Sequence, residues 1–137
     1  MNAFPYVSIL LAVVLIYIPR GFVVRAQAAE PGGLDNAHPR AQQAGLTGRG
    51  ARALGAHQNA FESFGPFAVG VLACEQRHVE PSRIAIACAI YLLARSVYLI
   101  LYLGNLPTAR SAVWGIGFLT SLALLIMAST ESGITFG

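Results

Sequence analysis

Apolar residues run almost unbroken over about residues 3–24, with Pro19 and Arg20 near the far end of the run. A helix needs about 20 mostly apolar residues to cross about 30 Å of hydrocarbon, and this stretch has them. Three later stretches read the same way, over about residues 52–74, 82–103 and 110–127. The second of the four opens polar and becomes clearly apolar only from Ala60 onward. Between the second and third lies a short charged turn, Glu75-Gln-Arg-His-Val-Glu-Pro81, and Gly104-Asn-Leu-Pro107 separates the third from the fourth. Connections this short join antiparallel neighbours. The pattern predicts an all-α integral membrane protein, a single domain over residues 1–137 folded as a four-helix transmembrane bundle. The stretch 26–51, rich in Gly, Pro, Ala and Gln, reads as a mobile cytoplasmic connection, either a solvated linker or a lid over a site.

Composition agrees with lipid as the solvent. Hydrophobic residues make up 55% of the chain and charged residues 11%, where soluble domains carry about a quarter charged. The basic side chains are nine arginines with no lysine, and five of them fall between Arg20 and Arg52. Without an interleaved run of aromatic residues this is a loop signal and argues against a nucleic-acid partner. Cys74 and Cys88 sit in apolar runs and His38, His57 and His78 are isolated from one another, so no metal-site spacing exists. The first and third connections, with the span ends beside them, hold Arg20, Arg25, Arg40, Arg49, Arg52 and Arg110, against Arg77 and Arg83 on the other side. Because cytoplasmic connections collect positive charge, this multi-pass chain is expected to keep both termini on the non-cytoplasmic side. Ala26-Gln-Ala28 resembles a signal-peptide cleavage site, but the arginines follow the apolar run instead of preceding it, the order of an anchored span.

Two spans carry polar groups that hydrocarbon does not tolerate. Helical periodicity puts Arg52, Asn59, Glu62 and Pro66 on one stripe of the second, and Tyr91, Arg95, Tyr98 and Tyr102 on one stripe of the third. At 1.5 Å per residue Glu62 lies about 15 Å in from Arg52, and Arg95 about 12 Å in from Leu103 on the same side. An isolated charge at that depth costs at least about 2.5–3.5 kcal/mol, so a Glu62–Arg95 ion pair is expected. Such a pair by itself could do no more than fix helix register. The further donors Asn59, Tyr98, Tyr102 and Arg110 read as a cradle for a polar, anionic ligand at the cytoplasmic edge, although Tyr102 also suits an interfacial aromatic belt. His57, about 160° round the helix from Asn59, suits a helix-start or subunit contact. The charges gather at one side and do not string across the membrane, which argues against a channel or transporter.

Arg52-Ala-Leu-Gly-Ala-His-Gln-Asn-Ala-Phe-Glu62, followed by Ser-Phe-Gly-Pro-Phe67, resembles the second-helix signature of the MAPEG family, the membrane-associated proteins in eicosanoid and glutathione metabolism. Ala94-Arg-Ser-Val-Tyr98-Leu-Ile-Leu-Tyr102, then a short loop and Arg110-Ser, resembles the third and fourth helices of the same family, and the length suits its small bacterial-type members. The resemblance implies a homotrimer in the lipid bilayer, with glutathione as co-substrate bound between subunits and a lipophilic small molecule as the second substrate. It assigns Arg52, Asn59, Glu62, Arg95, Tyr98 and Tyr102 to glutathione and makes Arg110 the catalytic residue that stabilises the thiolate. Gly55 departs from the pattern, because glutathione-using members typically carry an arginine there. The sequence therefore leaves two expectations: a glutathione-dependent transferase or peroxidase, or a MAPEG-fold protein with a structural or interaction role and no glutathione chemistry.

Overall fold

Four of the five helices take a proline in their first turn, where its missing N–H would have had no helical partner and its fixed φ suits the helix. In the computed structural model, which describes residues 3–131, these are α1 (Phe4–Ala28), α2 (Pro39–Ala44), α4 (Pro81–Leu103) and α5 (Pro107–Thr130); α3 (Gly48–Gln76) starts instead after Thr47. α4 has in addition a carboxylate cap: Glu80 accepts hydrogen bonds from the backbone N–H groups of Ser82 and Arg83, each at 3.1 Å, and from the Ser82 hydroxyl. That hydroxyl contact, ahead of the backbone donors, holds the Glu80 carboxyl below the usual carboxylate range.

The two tight turns are built alike. After α3 the chain passes through His78 at φ 58°, with Val79 N–H bonded to the Cys74 carbonyl and His78 N–H to that of Glu75. After α4 it passes through Asn105 at φ 59°, with Leu106 N–H bonded to the Leu101 carbonyl and Asn105 N–H to that of Tyr102. This six-to-one, five-to-two pattern closes a helix C-terminus, and His and Asn are among the non-glycine residues enriched in the left-handed region. A proline then starts the next helix, so each turn reverses the chain within a few residues.

The reversals sort the arginines by end. At one end Tyr6 donates to Glu75 at 3.4 Å, and Arg77 and Arg83 both reach Glu131, at 2.6 Å to its carbonyl and 3.8 Å to its carboxylate. At the other end lie the α2 region, the start of α3 and the start of α5. The asymmetry read from the sequence is therefore an asymmetry between two real ends of the bundle. The extreme termini, residues 1–2 and 132–137, lie outside the described residues.

Among the described residues α1 and α5 each pack on both α3 and α4 and do not touch one another, which makes α3 and α4 the central pair. The main core sits between these helices, where Phe67 stacks on Tyr91 with ring centroids 3.7 Å apart among Val71, Cys74, Ile84, Cys88 and Leu124. Gly70 lets α5 approach, since a Cβ there would stand 2.8 Å from that of Leu124. A smaller core of Val23, Leu46 and Ala53 closes the arginine-rich end. Leu10, Leu93, Ile100, Leu119 and Ile126 remain exposed, as a lipid-facing surface requires. α1, α4 and α5 are long and apolar enough to cross a membrane, whereas α3, with its polar first half, falls short of that measure.

The connection over 26–51 is folded, not loose. Gln27, fully buried at the end of α1, donates to the Pro39 carbonyl at 3.2 Å and to the Gln42 side chain at 3.0 Å. Gln42 returns hydrogen bonds to the carbonyls of Gln27 and Gly33 and accepts from Asp35 N–H. The glutamines that made the stretch look like a linker satisfy the backbone of its turns, because side-chain amides both donate and accept.

Candidate functional site

α3 buries Gly50, Ala53 and Ala56 at one end and Phe67, Gly70, Val71 and Cys74 at the other, and nothing between. Residues 57–66 are exposed or half-buried over nearly three turns in the middle of the helix. Pro66 ends this interval, and its missing N–H leaves the Glu62 carbonyl without its usual helical donor.

Beside that interval lies a cavity of about 180 Å³ bounded by Asn59, Glu62, Ser63, Pro66, Arg95 and, from α5, Trp114, Phe118 and Ser121. Trp114 and Phe118 stack face to face, with centroids 5.3 Å apart and planes within 4°, as an apolar wall opposite the polar floor. The Asn59 amide donates to Glu62 at 3.4 Å, while its carbonyl oxygen is buried without a hydrogen-bond partner. A buried acceptor left unmade costs about 1–3 kcal/mol, so the site is suited to a ligand that carries a donor.

The expected Glu62–Arg95 ion pair does not form. Both residues border the cavity, but the ion pairs among the described residues are His38–Asp35 and Arg83–Glu131. Arg95 is 6% exposed and turns its guanidinium onto the Tyr98 ring, 4.2 Å from the centroid, whereas Glu62 is exposed and accepts only from Asn59. Equal depth put the two charges at one level; the rotation of each helix sent one inward and one outward.

Three of the remaining predicted residues adjoin one another, next to Arg95. Tyr98 meets Tyr102 edge to face at 5.5 Å, and Arg110 covers the other ring at 4.2 Å from its centroid. Arg95, Tyr98, Tyr102 and Arg110 thus form one ladder, two rings between two cations, from the middle of α4 to the first turn of α5. Arg52 stands apart, its Nε donating to the Leu103 carbonyl at 3.4 Å, so it ties α3 to the end of α4. Tyr91, on the predicted stripe, belongs to the core, where its hydroxyl donates to the Ser63 carbonyl at 3.2 Å. His57 bonds through Nδ1 to the Ile16 carbonyl at 2.8 Å, an α1 contact and no part of the cavity. Trp114, Phe118 and Ser121 went unnoticed in the sequence; their spacing of four and seven puts them on one face of α5, beginning one turn after Arg110, but none of the three is charged.

A family comparison draws these features together, since the sequence model of the MAPEG family matches residues 4–130. The chain belongs to the MAPEG family. The match runs through all five helices, so the central α3–α4 pair, the cavity beside it and the ladder from Arg95 to Arg110 all lie within the MAPEG region. No curated protein and no solved structure matches the chain.

Proposed function

We propose that this MAPEG protein is a membrane-embedded, glutathione-dependent transferase or peroxidase that acts on lipophilic electrophiles. The observation that carries the reading is the buried Asn59 carbonyl oxygen, unpaired at the edge of a cavity that joins an amide, a carboxylate and a guanidinium to an aromatic wall. Glutathione supplies N–H donors for Asn59 and Glu62 and carboxylates for arginine, while Trp114 and Phe118 suit an apolar co-substrate arriving from the bilayer. The thiolate is the nucleophile, a free thiol has a pKa of about 8.5, and a nearby guanidinium favours the ionised sulfur. Arg110, in the first turn of α5, is the cation for that role, with the helix N-terminus behind it. The sulfur forms a bond to the electrophilic carbon as the leaving group departs with its electron pair. With a hydroperoxide, two glutathiones are oxidised to the disulfide as the peroxide is reduced to alcohol and water.

The reading includes four spans and a homotrimer. α3 packs against α1, α4 and α5, which supports its crossing with them despite its polar half. Its exposed middle supports assembly: Glu62 on the outside of a single chain, about 15 Å deep, would cost at least about 2.5–3.5 kcal/mol against lipid and is relieved when another copy or the ligand covers it. With the arginine-rich end cytoplasmic, both termini face away from the cytoplasm.

Calorimetry on the detergent-solubilised protein tests the activity. Millimolar glutathione should bind and develop thiolate absorbance near neutral pH, and Arg110→Ala should abolish that absorbance with only a modest loss of binding. If the protein shows neither binding nor absorbance, the reading fails. Gly55 favours the second reading, a MAPEG-fold protein with a structural or interaction role, because this level of α3 offers no cation to a glutathione carboxylate.

A further inference from the structure

A glycine inside a long helix costs about 1 kcal/mol relative to alanine, so a position that keeps one invites a packing reason. At Gly55 the reason is visible. A Cβ built there would run into the Tyr102 hydroxyl, and would stand 3.0 Å from Cζ and 3.4 Å from Cε1 of the same ring. At Gly65, ten residues further along α3, a Cβ would meet nothing within 4 Å. The Tyr102 phenol therefore rests on bare α3 backbone, in the space that a side chain at residue 55 would fill.

The ring seated there is the support of Arg110. Its centroid is 4.2 Å from the Arg110 guanidinium and 5.5 Å from that of Tyr98, and Arg110 has no acidic partner among the described residues. The neighbouring Leu103 carbonyl is held by Arg52, which fixes the end of α4 to α3 just where the ring rests. We propose that Gly55 is a positioning residue for Arg110: the absent side chain seats the Tyr102 ring, and the seated ring sets where the Arg110 cation stands. A side chain at residue 55 would oblige Tyr102 to leave this placement, and the Arg110 cation that lies over its ring would move with it.

This role rests on the thiolate function proposed above for Arg110, and the test keeps the two apart. The measurement is the pH titration of thiolate absorbance with saturating glutathione, on the full-length solubilised protein, alongside its thermal unfolding. Gly55→Ala is expected to move the midpoint of thiolate formation up by about one pH unit, as the cation is pushed from the sulfur. Tyr102→Phe, which keeps the ring under Arg110 and removes only the hydroxyl, should shift the midpoint less than Tyr102→Leu does. The double variant Gly55→Ala/Tyr102→Phe should recover much of the lost ground, since the hydroxyl is the atom the new methyl meets first. Gly65→Ala should leave the midpoint where it is and, if anything, raise the unfolding temperature. Tyr102→Leu, which keeps the glycine and removes the ring, should reproduce the shift even if Gly55→Ala does not fold. A wild-type midpoint in Gly55→Ala or in Tyr102→Leu overturns the positioning role alone. A wild type with no thiolate signal overturns the proposed function and this role with it.

Discussion

The polar stripes of α3 and α4 look alike in the sequence and end in opposite environments. On α4, Tyr91, Arg95 and Tyr98 are buried, and the arginine spends its charge on an aromatic face. On α3, Asn59 is half-buried while Glu62 and Pro66 are exposed, and the buried face of that helix is made of small residues and Phe67 instead. A helical period tells which residues share a face; it does not tell which way the face points. The face that turns in becomes part of the fold, and the face that turns out does not.

Changes on the buried side should therefore damage stability, and changes on the outward stripe should spare it. The largest effect is expected at Phe67→Ala, on the buried face of α3: losing the ring stacked on Tyr91 should cost about 3–5 kcal/mol in reversible unfolding from mixed micelles. A loss under about 1 kcal/mol would mean that the α3–α4 core is not packed as described. Next comes Arg95→Ala. Its guanidinium lies desolvated over the Tyr98 ring, so the loss should be about 2 kcal/mol, with Arg95→Lys recovering part of it. Glu62→Ala should change the stability of the fold by no more than about 0.5 kcal/mol. In a double-mutant cycle with Arg95→Ala the two effects should add within about 0.5 kcal/mol, and a coupling above about 1 kcal/mol would restore the ion pair that this geometry lacks.

The smallest effect lies outside both stripes, at the cap of α4. The Glu80 carboxyl is lowered from its ordinary value by the Ser82 hydroxyl and the backbone donors, so its contribution is present above the unfolded carboxylate pKa and fades as pH falls through the folded one. Glu80→Gln should lower stability slightly in the neutral range and converge with the wild type as pH falls below about 4.5, which flattens the acid limb. An unaltered acid limb would show that the cap contributes nothing.

Much of the molecule was legible in its residues. The long apolar runs, the prolines that open helices and the two short turns place α1, α4 and α5 within a few residues, because apolar length and proline act locally. The arginine asymmetry carried over to the two ends of the bundle for the same reason: each turn reverses the chain and sends its charges to a fixed side. The proximity of the polar groups was legible in part. Asn59, Glu62 and Arg95 do border one cavity, and Tyr98, Tyr102 and Arg110 do adjoin one another.

What only tertiary structure decided depends on the rotation of one helix against the next. The partner of Arg95 proved to be a ring of its own helix and not the acid at equal depth. The glutamines of the 26–51 connection became a hydrogen-bonded fold, since an amide looks solvating in a sequence until its partners are known. Trp114 and Phe118 became a cavity wall only once α5 lay beside the open middle of α3. Gly55 is the sharpest case: read along the chain it is a missing arginine, and in space it is a seat for Tyr102, because a glycine is defined by what a distant helix brings against it.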